Sequence, residues 1–146
     1  MLNSLGRREE VELEEIYKMI DELANMNADA IIVIGGISAR MEGEGGDKAD
    51  IELPKVQQRL LKAMRETGRP VVMVNCSGSP IAFASVEDCY DALVQAWYPG
   101  QGGAKALADV LFGDYNPSGK LPVTFYKNVE QLPDFENYDM DNRTYR

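Results

Sequence analysis

Apolar residues recur along this chain in two different periods. Val11, Ile16, Ile20 and Leu23 return at helical spacing and predict an amphipathic helix over Arg7–Ala24. The run Glu9, Glu10, Glu12, Glu14, Glu15 sits near its start, where the helix dipole favours negative charge, and reads as a solvated face. Ala28–Ile34 is a short β-branched apolar run closed by Gly35-Gly36, the pattern of a strand buried on both faces in a parallel sheet. A polar loop rich in glycine and acid covers Ile37–Asp50. Pro54–Thr67 then reads as a helix, with Pro54 in the first turn, Val56, Leu60, Leu61 and Met64 along one side, and Gly68 as its stop.

Arg69-Pro70 opens a second buried strand at Val71–Val74, followed by a loop over Ser77–Pro80. Ile81–Tyr90 suggests an extended start and a short helix. Ala92–Trp97 reads as a third strand, Tyr98–Gly103 as a loop, and Ala104–Phe112 as a helix ending at Gly113. Asp114–Gly119 is a turn and Leu121–Phe125 is extended. From Lys127 the chain is polar and aromatic, without clear period.

Strands alternating with helices predict an α/β fold, a layered sandwich with a mostly parallel sheet flanked by helices. No internal repeat and no linker divides the chain. The expected organisation is a helical lead-in over 1–27, an α/β core over 28–126 and a tail over 127–146. Sites in such sheets form in loops beyond the carboxyl ends of strands. Three loops qualify: Gly35–Asp50, Cys76–Pro80 and Tyr98–Gly103.

Composition narrows the chemistry. The 146 residues carry 15 Lys+Arg against 24 Asp+Glu, a net charge of −9 that repels phosphate backbones, so nucleic acid is not an expected partner. The longest apolar run, Ala30–Ile34, falls far short of the ~20 residues of a membrane helix, so no membrane partner is expected, and no export signal follows Met1. There is no histidine, which excludes Ser-His-Asp triads, Cys-His dyads and histidine metal sites within this chain. Proton transfer falls to carboxylates, Lys, Tyr or Cys. Cys76 and Cys89 form no CxxC pair; they read as two small buried hydrophobes, with a disulfide left open. Gly100-Gln101-Gly102-Gly103 is no dinucleotide fingerprint, because Lys105 stands where the third glycine belongs; this leaves a flavodoxin-like nucleotide domain a poor fit.

The acidic loop is the sharper feature. Glu42 and Glu44 sit two positions apart in Met41-Glu42-Gly43-Glu44-Gly45-Gly46-Asp47-Lys48, where glycines let a carboxylate reach a ligand or a second domain. Burial or a neighbouring like charge turns a carboxylic acid into a useful proton donor. The calcium pattern D-x-[DN]-x-[DN]-G is absent, and a solvated loop is the plain alternative.

Five blocks in order carry a resemblance. They are Glu42–Lys48; Ile51-Glu52-Leu53-Pro54 with Gln57-Gln58; Gly78-Ser79-Pro80; Ala96–Gln101; and Leu111-Phe112-Gly113-Asp114-Tyr115-Asn116-Pro117-Ser118-Gly119-Lys120-Leu121-Pro122. From about Ala28 to Arg146 the chain resembles the C-terminal α/β sandwich domain of family 3 glycoside hydrolases, of the β-glucosidase and β-xylosidase type. The resemblance implies a retaining β-glycosidase that removes β-linked glucose or xylose from the non-reducing end. One carboxylate attacks the anomeric carbon; another protonates the leaving oxygen and then activates water. In this family a preceding barrel supplies the aspartate nucleophile, and the sandwich supplies the glutamate acid/base.

Matched to the family's patterns, Glu44 is the first choice for acid/base. Glu42 is the alternative, or else holds the loop by hydrogen bonds or tunes Glu44. Asp47 and Lys48 match a Gly-Asp-Arg element read as a structural ion pair, with lysine replacing the usual arginine. Many relatives carry a longer insertion between the glutamates and Gly46. Trp97 and Tyr98 serve as core or interdomain anchors, or stack on a sugar. No cofactor and no metal are expected. The expected partners are a β-linked oligosaccharide or glycoside and an absent N-terminal barrel, which needs ~250 residues. The chain thus reads as an excised domain, inactive alone, from a parent expected in the periplasm or secreted. The alternative is a non-catalytic carbohydrate- or protein-binding module.

Overall fold

The computed structural model describes residues 14–23, 25–45, 48–134 and 136–141. Helix α1 covers 14–23 within the expected Arg7–Ala24 segment, whose remaining residues lie outside the described ones. Ile16 is buried, and Ile20 and Leu23 pack against the core. The end of α1 is held by Arg69, whose guanidinium donates to the Leu23 and Met26 carbonyls at 2.6 and 2.8 Å. A cation here satisfies carbonyls that a helix end leaves without partners.

Strand β1 (Ile31–Gly36), strand β2 (Val71–Cys76) and strand β3 (Ala92–Gln95) form one parallel sheet in the order β1-β2-β3. Val33, Met73 and Leu93 lie in register across it. Helix α2 (Lys55–Glu66) makes the crossover from β1 to β2, and a 3-10 helix over Ala84–Cys89 leads from β2 to β3. Helix α3 (Gly103–Leu111) follows β3. It stops where Gly113 takes a left-handed φ of 85°, the conformation that ends many helices.

The core lies between α2 and the near face of the sheet. Leu61 and Met64 of α2 meet Val71 and Met73 of β2, with Leu53, Ile81 and Val86 around them. Gln58 is also buried, its amide donating to the Leu53 carbonyl at 2.7 Å and to Glu52 at 3.1 Å. Asp91 joins the amino ends of the strands, accepting the Val71 amide at 2.8 Å and the Arg65 guanidinium at 2.9 and 3.0 Å. Those hydrogen bonds, first the Val71 amide and then Arg65, hold its carboxyl below the usual aspartate range.

Three expectations need correction. The strand β1 is not buried on both faces: Ile31 and Val33 enter the core, but Ile32 and Ile34 are 42% and 66% exposed. Alternation sends them to the face away from α2, and the apolar run alone does not say what lies there. The third strand stops at Gln95 rather than Trp97, because Trp97 takes a φ of 57° that no strand accommodates. Leu121–Phe125 is not extended throughout, because the chain bends at Pro122 and Val123. Cys76 and Cys89 are both half-buried free thiols.

Candidate functional site

The three strands are parallel, so the loops following Gly36, Cys76 and Gln95 gather at one end of the sheet. These are the loops that sequence pattern singles out. The first leaves β1 through Gly36, at φ 127°, where a Cβ would lie 2.0 Å from the Cys76 carbonyl oxygen. Gln57 of α2 fastens this exit from the side. Its amide oxygen accepts the Gly36 N–H at 2.8 Å, and its NH2 donates to the Gly36 carbonyl at 2.7 Å.

The chain then turns through a Met41 N–H to Ser38 carbonyl bond of 2.8 Å and delivers Glu42 to the middle of the cluster. The Glu42 carboxylate accepts the Gly78 and Ser79 amides at 2.6 and 2.9 Å. It also accepts the Ser79 hydroxyl and the Tyr98 hydroxyl. The Tyr98 hydroxyl lies 3.1 Å from the Ile37 carbonyl as well. Lys48 donates to Ser79 Oγ at 2.9 Å. One carboxylate thus joins the loops that follow all three strands.

The electrostatics follow from these contacts. Desolvation pushes the Glu42 carboxyl up. The Ser79 hydroxyl, the Tyr98 hydroxyl and the Gly78 and Ser79 amides together outweigh it, and the pKa falls from the ordinary 4.5 to about 2. Donors aimed at the anion stabilise the anion. Tyr98 moves the opposite way: its bond to Glu42, with desolvation and the nearby negative charge, holds its proton more tightly. Glu42 is therefore an acceptor at neutral pH, with no proton to give.

Glu44 lies two residues further on, beyond Gly43. It is exposed and makes no hydrogen bond or ion pair among the described residues. Gly45 follows at φ 78°, a turn that glycine takes without strain. The structure therefore brings Glu42 and Lys48 together on Ser79 and leaves Glu44 outside that group. Asp47 lies outside the described residues, as does any ion pair it makes with Lys48.

Beside the Glu42 cluster, Asn75 and Ser77 are fully buried. Asn75 donates to Ser77 Oγ at 2.9 Å and to Gln95 Oε1 at 2.6 Å, tying the ends of β2 and β3. Trp97 meets Phe125 edge to face, with ring centroids 6.0 Å apart. Its left-handed backbone turns the chain sharply just before Tyr98, whose hydroxyl reaches Glu42.

Sequence reasoning singled out these loops but missed Gly78, Ser79 and Tyr98 as partners of Glu42. The available signal was their position immediately after β2 and β3. An open groove of about 260 Å³ runs beside the acidic loop, lined by Ile37, Met41 and Lys48 among others. A larger one, about 310 Å³, lies between α1 and α2 at Thr67 and Arg69, near the opposite end of the sheet.

Comparison with known proteins fits this arrangement. The profile of the glycosyl hydrolase family 3 C-terminal domain matches residues 14–146. A xylan 1,4-β-xylosidase of Xylanibacter ruminicola is 57% identical over 142 residues, covering 90% of this chain and 16% of that enzyme. A periplasmic β-glucosidase of Salmonella typhimurium is 40% identical over 129 residues, covering 87% of this chain and 17% of that enzyme. Among solved structures, a β-glucosidase of Kluyveromyces marxianus in complex with glucose superposes with a TM-score of 0.74 at 36% identity. That match covers 86% of this chain and 15% of the other. The chain thus spans about a sixth of each of these relatives. It belongs to glycosyl hydrolase family 3, as a C-terminal α/β domain of that family.

Proposed function

We propose that this chain is the acid/base-bearing domain of a retaining β-glycosidase acting on β-linked xylosides or glucosides at the non-reducing end. Glu44 is the general acid/base. The nucleophilic aspartate and most of the sugar pocket come from a barrel domain that docks against the carboxyl ends of the strands. Such a parent belongs in the periplasm or outside the cell, as the name of the Salmonella typhimurium relative suggests. The core over 28–126 is the functional unit, with 1–27 leading in and 127–146 leading out.

The observation that carries the assignment is the contrast between the two glutamates. Glu42 is an anion saturated by four donors, which makes it a poor proton donor. Glu44, on the same loop, has its carboxyl exposed toward whatever approaches. A general acid must reach the glycosidic oxygen as a carboxylic acid and return as a carboxylate that activates water. The docked barrel and sugar exclude water from around Glu44.

The test is a chimera in which the full 146-residue chain replaces the matching segment of the Xylanibacter ruminicola xylosidase. Aryl β-xylosides and β-glucosides are the substrates. Glu44→Ala should cut kcat/KM for a phenyl glycoside roughly 10²- to 10⁴-fold. A dinitrophenyl glycoside, whose leaving group needs little protonation, should lose far less. Azide should then restore turnover and yield a glycosyl azide. A folded chimera that is inactive, or that keeps full activity as Glu44→Ala, overturns the reading.

A further inference from the structure

We infer that Glu42 is a positioning residue for Glu44, its carboxylate locking the acidic loop onto the loops that follow β2 and β3. The inference rests on the reading of Glu44 as the acid/base and adds the residues that hold it in place.

The loop needs such a lock. It contains Gly43 and Gly45, and a Met41–Ser38 turn is its own backbone hydrogen bond among the described residues. Chain of that composition samples many conformations, whereas acid catalysis demands one. Ser79 grips the loop on both sides of Glu44. Its hydroxyl donates to Glu42 and accepts from Lys48 Nζ at 2.9 Å. The Gly78 and Ser79 amides add two bonds to Glu42, and Tyr98 adds a third from the β3 side. The Gly78 and Ser79 donors follow β2, whose Val71 and Met73 lie in the core, and Tyr98 follows β3, which is paired to β2, so the lock refers Glu44 to the sheet.

The lock also explains residue 78. A Cβ there would lie 2.8 Å from Glu42 Oε1 and 2.9 Å from a Tyr98 ring carbon. Any side chain would push the carboxylate and the ring apart. The donors hold Glu42 as an anion, so the contact survives throughout the neutral range.

The same chimera tests this with aryl xylosides whose leaving groups run from dinitrophenol to phenol. Two variants break the lock from opposite sides: Glu42→Gln, and Ser79→Ala combined with Tyr98→Phe, which leaves both carboxylates in place. For each, the loss of kcat/KM should grow as the leaving group worsens. It should rise from a few-fold on the dinitrophenyl substrate to about 10- to 100-fold on the phenyl substrate. Simple damage to the fold would lower every substrate equally, so an equal loss overturns the inference; so does no loss. If Glu44→Ala itself shows no leaving-group dependence, the functional reading falls and this inference falls with it. If Glu44→Ala shows it and both lock variants do not, only the positioning role is lost.

Discussion

The two faces of the sheet come from the same three strands and meet different fates. On the face toward α2, Leu61, Val71 and Met73 lose all exposure. On the other, Val74 of the central strand is buried, but Ile32 and Ile34 of the edge strand β1 keep 42% and 66% of their surface. Ile31 and Ile32 are chemically identical neighbours, one in the core and one half in solvent. Hydrophobicity therefore states what a residue would gain from cover, and the tertiary arrangement decides whether cover is there.

Substitutions can break or sharpen that contrast. Leu61→Ala and Met73→Ala should each destabilise the chain by about 3–5 kcal/mol, because each empties a closed site. Urea unfolding followed by circular dichroism reads this directly. Gly36→Ala should cost about 2–4 kcal/mol, since the added Cβ meets the Cys76 carbonyl at 2.0 Å in a backbone region alanine avoids. Gln57→Ala should cost about 1–3 kcal/mol by leaving the Gly36 N–H and carbonyl unpaired; faster amide exchange at Gly36 would accompany it.

The pH dependence concerns the strand ends rather than either face. Glu42 has a folded pKa of about 2, below its ordinary 4.5. Its contribution is therefore fully present above about pH 4.5 and disappears as pH falls through 2. Glu42→Gln should flatten the acid limb of a stability–pH curve in that window. The smallest effect belongs to the open face. Ile34→Thr should move stability by no more than about 0.5 kcal/mol, as at other exposed positions. A cost near that of Leu61→Ala would mean that this face is covered in solution.

Much of the fold was legible from pattern. The parallel α/β order, the α2 helix stopped by Gly68 and the three loops at the strand ends all follow from apolar period and turn residues. The end of β3 was not legible. Nothing local in Ala96-Trp97-Tyr98 announces a left-handed tryptophan, which persists because its surroundings hold it, Phe125 among them. Exposure of Ile32 was hidden for a similar reason, since a β-branched run reads the same whether one face or both are covered.

At the site the division is sharper. The sequence by itself determined that carboxylates are the available acids of the acidic loop, that glycines surround them, and that the chain resembles a glycosidase domain. It placed Glu42 and Glu44 two positions apart, and the resemblance to the family put Glu44 first without giving a physical difference between them. The physical difference between them belongs to the tertiary structure, because it lies in donors 36 and 56 positions away along the chain from Glu42. Sequence sets the chemical identity of a side chain. The character of its proton depends on what faces it, and for Glu42 those groups come from the ends of two other strands.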